Sequence, residues 1–193
     1  KPGWYDALNG LPGLLGSSSS ETFEIKRTCR FVLEALERCA VNDQDVIELF
    51  EELADFIVRL MQILVTQPNA LTYWFDSNDA KEYYRAKIRT GISGTEKDLT
   101  VSVIKEFLNL VIAKTDRAIE SARNEKGQLA TYFYYEVTEY KRPETGDGKH
   151  VWPLKFKRHV LPLFLEGYVH ALRIEGDPGA ARKLYNEVRK GGL

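Results

Sequence analysis

VIELFEELADFIVRLMQIL, residues 46–64, is the stretch that decides the fold expected from the sequence. Its apolar residues recur at spacings of three and four and form a wide stripe, as on an amphipathic helix that packs against other helices. Asn42 and Asp43 supply helix-capping chemistry before the stretch, and Pro68 ends it. The pattern therefore predicts a single helix that includes residues 46–64.

Helical patterns also flank this stretch on both sides. Ser20 and Glu24 provide helix-start chemistry, and the apolar residues that follow predict a helix over residues 20–41. The short turn between this helix and the next requires the two to run antiparallel. A shorter helix around residues 79–88 and a long apolar period over residues 99–119 predict a second antiparallel pair.

One segment departs from the helical pattern. In TYFYYEVTEYK, residues 131–141, β-branched and aromatic residues alternate with polar ones, which predicts a strand. HVWPLKF, residues 150–156, is the predicted partner strand, and Pro153 confines it to an edge. Helical patterns resume in residues 159–174 and 177–190. We therefore predict an all-α fold of antiparallel helical hairpins with one small β-hairpin near 131–156.

Composition limits the classes of partner. The chain has 193 residues, of which 44% are hydrophobic, so it can form one domain or a piece of a larger one. Its 27 basic and 28 acidic residues leave a net charge of −1, so no global field attracts nucleic acid or an anionic membrane. We expect neither as a partner. Lys1 in place of methionine, and the ending RKGGL, are expected of a fragment of a longer protein.

The sequence contains no pattern typical of a cofactor, a metal site or a targeting segment. No apolar run reaches the length of a membrane span, and the three histidines lack metal-ligand spacing. Cys29 and Cys39 lie about 15 Å apart on a predicted helix, too far for a disulfide. Two unpaired thiols favour a reducing compartment, so we expect a cytoplasmic protein. Because the sequence shows no metal-ligand or cofactor motif, we expect that the protein uses neither a metal nor another cofactor.

The opening loop, residues 3–16, combines the side chains that a sugar site needs. Trp4 and Tyr5 offer flat apolar faces, Asp6 an acid or acceptor, and Asn9 both donors and acceptors. Glycines in the loop let the backbone approach a ligand closely. A plainer interpretation is an interdomain loop in which Trp4 packs and Asp6 caps a turn.

The stretch KPGWYDALNGLPGLLGSSSSETFEIKR, residues 1–27, resembles a segment in the catalytic domains of (α/α)6-barrel glycoside hydrolases and inverting glycoside phosphorylases. Within it, WYDALNG is similar to the Asp-Trp-Asn-Asp-Gly-x-Asn signature of cellobiose phosphorylase and its relatives. TYFYYEVTEYK and LPLFLEGYVHALRI are similar to C-terminal parts of large proteins of the same superfamily. The resemblance implies part of an (α/α)6 toroid that cleaves glycosidic bonds of oligosaccharides with inversion, by hydrolysis or phosphorolysis.

The same resemblance assigns roles to residues of the loop. Trp4 matches the tryptophan of the signature, Tyr5 its first asparagine, Asp6 its second aspartate and Asn9 its last asparagine. Gly3 stands where the first aspartate belongs. This departure leaves two roles open for Asp6, the general acid that protonates the glycosidic oxygen or a residue that only orients the substrate.

An inverting glycosidase needs a second carboxyl group, about 6.5–9.5 Å from the first. Glu21, at the start of the first helix, and Glu166, in FLEG, are the candidates, and apolar neighbours of Glu166 predict burial and a raised pKa. Their plainer roles are a capping glutamate and a solvated helix glutamate. For phosphorolysis, Lys1 and the serine run 17–20 are candidate phosphate ligands.

A different class of function competes with the enzyme. About five helices cannot close a barrel of twelve, so catalysis would need the remainder of the same polypeptide, and the isolated fragment is expected to be inactive. The alternative is a non-catalytic helical-repeat module that binds a protein partner on a concave face.

Overall fold

The structure is a computed structural model and describes residues 16–66, 69–142 and 151–190. The chain divides into two compact units. Unit 1 consists of Lys1–Glu24 and Ala118–Leu193, and unit 2 of Ile25–Arg117. The expectation that residues 1–193 form one domain, or part of one, stays a prediction.

Six helices and five strands make up the described part of the chain. Their order is β1 (Gly16–Ser18), α1 (Ser20–Arg38), β2 (Val46–Phe50), α2 (Glu51–Thr66), α3 (Ala70–Lys87), β3 (Glu96–Thr100), α4 (Val101–Ser121), β4 (Tyr132–Lys141), β5 (Trp152–Val160), α5 (Leu165–Ile174) and α6 (Pro178–Lys190). Among the residues described, none of the helices combines the length and the apolar character needed to cross a membrane.

The predicted all-α fold, and with it the (α/α)6 toroid, is wrong. The described residues contain two antiparallel sheets, one of three strands in the order β1-β4-β5 and one formed by β2 and β3. Residues 150–156 were expected to return as a short strand, whereas β5 extends to Val160. Gly16–Ser18, interpreted as loop, pairs with β4 through Gly16↔Tyr134 and Ser18↔Tyr132.

The deciding stretch 46–64 divides into a strand and a helix. Ile47 and Leu49 are half-buried while Val46 and Glu48 are exposed, which is the two-residue period of a strand. β3 pairs with β2 in the register Ile47↔Leu99 and Glu48↔Asp98. An apolar residue at 46, 47, 49 and 50 satisfies both periods, so the pattern alone could not separate strand from helix.

In unit 2 a strand that runs directly into a helix occurs twice. β2 continues into α2, and β3 continues into α4. The buried core between them is formed by Ala54, Ile57 and Leu99. Partly buried side chains of both helices surround this core, including Leu53 and Phe107.

Unit 1 packs its helices against the sheet β1-β4-β5. Phe23 at the start of α1 and Tyr168 of α5 are fully buried, and Phe133 of β4 joins the same cluster. Leu184 and Val188 of α6 complete it. The sheet strands, α5 and α6 are therefore fixed to one another by a shared apolar core.

We expect Gly167→Ala to destabilise unit 1 by about 1–3 kcal/mol. A Cβ at Gly167 would overlap the side chain of Thr131, which is itself buried. The gain of about 1 kcal/mol in helix propensity offsets only part of this clash. Urea unfolding followed by circular dichroism measures the change.

Gly176→Ala is the matched control, because its new methyl group would meet no atom within 4 Å. Equal free energies of unfolding for the two variants would contradict the packing described at Gly167.

Candidate functional site

Most of the site residues expected from the sequence lie outside the described residues. They are Lys1, Trp4, Tyr5, Asp6 and Asn9. Their contacts with a saccharide stay predictions. The two remaining candidates, Glu21 and Glu166, are described, and both belong to unit 1.

Glu166 lies in the first turn of α5 and accepts a hydrogen bond from a buried tyrosine. The hydroxyl of Tyr132, in β4, donates to Glu166 Oε2 over 2.7 Å. Only 1% of Tyr132 is exposed, and its ring packs edge-on against Phe164, with 6.0 Å between the ring centroids. Glu166 itself is half-buried rather than enclosed. The hydrogen bond to Tyr132 therefore orients its carboxylate.

Glu21 is an exposed residue of α1 that follows a serine in contact with the same hydroxyl. Ser18 Oγ donates to Glu21 Oε2 over 3.1 Å. Ser20, which precedes Glu21, has its Oγ 3.4 Å from Tyr132 Oη. Glu21 is thus held at the helix start, beside a serine that contacts Tyr132. We call Ser20, Glu21, Tyr132 and Glu166 the tyrosine–carboxylate cluster.

The surroundings of Tyr132 keep it a neutral donor. Burial raises its pKa above the ordinary value, and the hydrogen bond from Ser20 opposes this only in part. The carboxylates of Glu166 and Glu21 raise the pKa further. Of the two carboxylates, Glu166 binds the phenol directly, whereas Glu21 acts on it only through its charge.

Reasoning from the sequence missed the role of Tyr132. The run of aromatics at 132–135 is typical of hairpin packing, and Tyr132 does pack, but it also carries a polar end. A buried tyrosine hydroxyl needs a hydrogen-bond partner. This requirement indicates from the sequence that Tyr132 has a polar partner. The strand pattern does not identify Glu166 as that partner.

Unit 2 contains a separate cavity of about 230 Å³. Its walls combine aromatic rings with both signs of charge. Phe56 and Tyr84 stack, with 4.9 Å between their centroids. Arg59 and Lys87 lie 5.6 and 5.4 Å from the ring centre of Tyr83, as in cation–π contacts.

Glu52 is the unusual group in the wall of this cavity. Its Oε1 accepts the backbone N–H of Ser93 over 2.7 Å, while Oε2 is buried and has no hydrogen-bond partner among the described residues. Its own backbone N–H and that of Ser93 lower its pKa, with Lys87 contributing. A buried, ionised oxygen without a donor is unfavourable, so this position favours a ligand that supplies an N–H group.

Comparisons with known proteins do not assign the chain. Neither the protein-family models nor the curated proteins contain a match.

Within the described residues, no group of three or more histidine, cysteine, aspartate or glutamate side chains is placed to hold a metal ion.

We expect Tyr132→Phe to lower the free energy of unfolding by about 1–3 kcal/mol at neutral pH, because Glu166 loses its buried donor. The raised pKa of Tyr132 adds a pH dependence. An unfolded tyrosine ionises near pH 10, so the stabilisation is complete below about pH 10 and is lost as the pH rises above it. Unfolding in urea at several alkaline pH values should show a shallower loss for Tyr132→Phe than for the unmodified chain.

Tyr185→Phe is the matched control, since Tyr185 is exposed on α6. It should match the unmodified chain at every pH. If Tyr132→Phe behaved in the same way, the hydroxyl would not be the buried donor described.

Proposed function

We propose that the chain is part of an enzyme that cleaves glycosidic bonds of oligosaccharides with inversion, by hydrolysis or phosphorolysis. The observation that carries this proposal is the carboxylate of Glu166, which the Tyr132 hydroxyl holds over 2.7 Å, with Glu21 next in sequence to Ser20, whose Oγ lies 3.4 Å from the same hydroxyl. Paired carboxyl groups are the minimum equipment for this reaction. The proposal does not depend on an (α/α)6 toroid, because the chain contains two antiparallel sheets.

A second observation supports the same assignment. Most of the described residues that resemble glycoside hydrolases and phosphorylases belong to unit 1, namely 16–24 of the stretch 1–27, 131–141 and 161–174, whereas residues 25–27 belong to unit 2. The remainder of unit 2, which ends at Arg117, shows only generic helix patterns in its sequence. Segments far apart in sequence therefore gather where the two carboxylates are found.

The roles follow from what each carboxylate touches. Glu166 is oriented by Tyr132 and is suited to activating water, or to positioning phosphate, on one side of a sugar. Glu21, which accepts a hydrogen bond from Ser18, is the second carboxylate of the proposal. Asp6 remains the proposed acid or substrate anchor, with Trp4 as a stacking wall.

Protein binding is the second candidate function, and the cavity of unit 2 favours it. The unpartnered Oε2 of Glu52 in the cavity wall fits a basic side chain of a partner protein. Such a module would not be a helical repeat, because β2 and β3 form a sheet.

We propose a cytoplasmic location for either function, and the free thiols of Cys29 and Cys39 support it.

For the enzyme, we expect Glu166→Gln in the full-length protein to reduce turnover of oligosaccharides by about 10²–10⁴-fold, because a carboxylate that takes part in proton transfer is lost. Product release with and without inorganic phosphate, followed by chromatography, measures the rate and separates phosphorolysis from hydrolysis. Glu34→Gln, at an exposed position of α1, is the control and should keep full activity. Wild-type turnover by Glu166→Gln would remove Glu166 from the mechanism.

For the second candidate, we expect N-acetyl-lysine methylamide to shift the NMR signals of residues around the cavity of unit 2. Glu52→Gln should abolish the shifts, because the ligand loses its carboxylate partner. The control is Glu48→Gln, an exposed position of β2 outside the cavity walls. Identical titrations for both variants would argue against a cation site at Glu52.

A further inference from the structure

Two adjoining concavities of unit 1 form a basic trough. Their volumes are about 610 and 400 Å³, and Lys126 and Gln128 line both. The larger runs along α6, and the smaller lies between the 123–128 turn and β5. The basic side chains in their walls are Arg123, Lys126, Arg158, Arg182, Lys183 and Lys190.

Positive charge dominates the trough. Only Glu125 and Glu187 contribute carboxylates to its walls, and Glu187 already accepts a hydrogen bond from Tyr168 over 3.2 Å. Within the described ranges, no ion pair involves Lys126 or the three basic residues of α6 in these walls. Arg123 already pairs with Glu120 over 3.0 Å, but the other basic side chains of the walls form a local concentration of positive charge on a chain that is nearly neutral as a whole.

The turn that joins the two concavities is fixed by its own hydrogen bonds. Asn124 Oδ1 accepts the backbone N–H groups of Lys126 and Gln128 over 3.0 and 2.9 Å. Arg123 donates to the carbonyl of Gly127 over 3.1 Å, and Gly127 has a positive φ of 71°. The backbone of Lys126 is therefore held in place between the two concavities.

We propose that the basic trough binds an acidic oligosaccharide, whose carboxylate or sulfate groups contact its lysines and arginines. This inference rests on the proposed function for its choice of a saccharide. Asn124 is engaged within the turn, where its Nδ2 donates to Gln128 Oε1 over 3.1 Å. The amide of Asn186 and the Nε2 group of Gln128 in the walls are suited to hydroxyl groups between the charges. The trough would thus add an extended subsite for a charged substrate to unit 1.

Two other polyanions fit the trough less well. Sites for single-stranded nucleic acid combine cations with aromatic rings on which bases stack, but the described walls of both concavities contain no aromatic side chain. An anionic membrane presents a broad surface, whereas the six cations line concave walls. A hydroxyl-rich acidic chain matches both the charge and the amide groups.

The trough is connected to the tyrosine–carboxylate cluster through α5. This helix carries Glu166, whose carboxylate binds Tyr132, and also Tyr168, whose hydroxyl binds Glu187 in the wall of the trough. Both tyrosines are buried in unit 1. One short helix therefore fixes a residue of each site.

The test is calorimetric titration of the full chain with oligogalacturonate at low salt. Neutral malto-oligosaccharide, oligothymidylate and phosphatidylserine vesicles are the comparison ligands. We expect oligogalacturonate to bind most tightly, with an affinity that falls as salt is added. Lys183→Gln and Lys190→Gln should each weaken binding about two- to fivefold. Arg189→Gln, on the same helix but outside the walls, should change it less than either.

Other outcomes would overturn the proposal. These are tighter binding of oligothymidylate or vesicles, equal binding of neutral sugar, no binding at low salt, or equal effects of Lys190→Gln and Arg189→Gln. Glu166→Gln separates this proposal from the proposed function. We expect it to bind oligogalacturonate as the unmodified chain does, so lost turnover and lost binding are distinguishable.

Discussion

The hydrogen bond from the Tyr132 hydroxyl to Glu166 is the interaction on which the candidate site of unit 1 depends. A phenol in an apolar core must find an acceptor, and here the acceptor is a carboxylate at the start of α5. That requirement fixes where α5 begins relative to β4. The same hydroxyl lies 3.4 Å from Ser20 Oγ at the start of α1. Packing and candidate chemistry thus depend on one buried hydroxyl group.

The sequence predicted the helices better than the strands. Periodicity located α1 and α4, and alternation located β4, because each of these segments satisfies only one period. The pattern at Val46–Phe50 satisfies two periods, and only pairing with Glu96–Thr100 decides for the strand. β1 has three residues, Gly16–Ser18, and no apolar alternation, so a strand there depends on the neighbouring β4. Strand pairing is a contact between distant residues, and local patterns do not contain it.

For the site residues as well, local patterns identified single residues but not their distant partners. Glu21 and Glu166 were selected from local context, and of the two only Glu166 hydrogen-bonds to Tyr132, so their catalytic roles stay predictions. The selection could not include Tyr132, because its partner lies 34 positions away. The basic trough was hidden for a related reason. A net charge of −1 averages over the whole chain, whereas turn 123–128, β5 and α6 bring their cations together only in the folded state.

The two strand-to-helix elements of unit 2 have a consequence for how this unit can be divided. β2 with α2 and β3 with α4 each supply one strand to a shared ribbon, and the register centres on Glu48↔Asp98. The segment that joins α3 to β3 includes Gly91 and Gly94, both with positive φ. Cleavage there would leave a complete strand and its helix on each fragment. Unit 2 is therefore suited to fragment complementation, in which two separately made pieces recover the native ribbon by association.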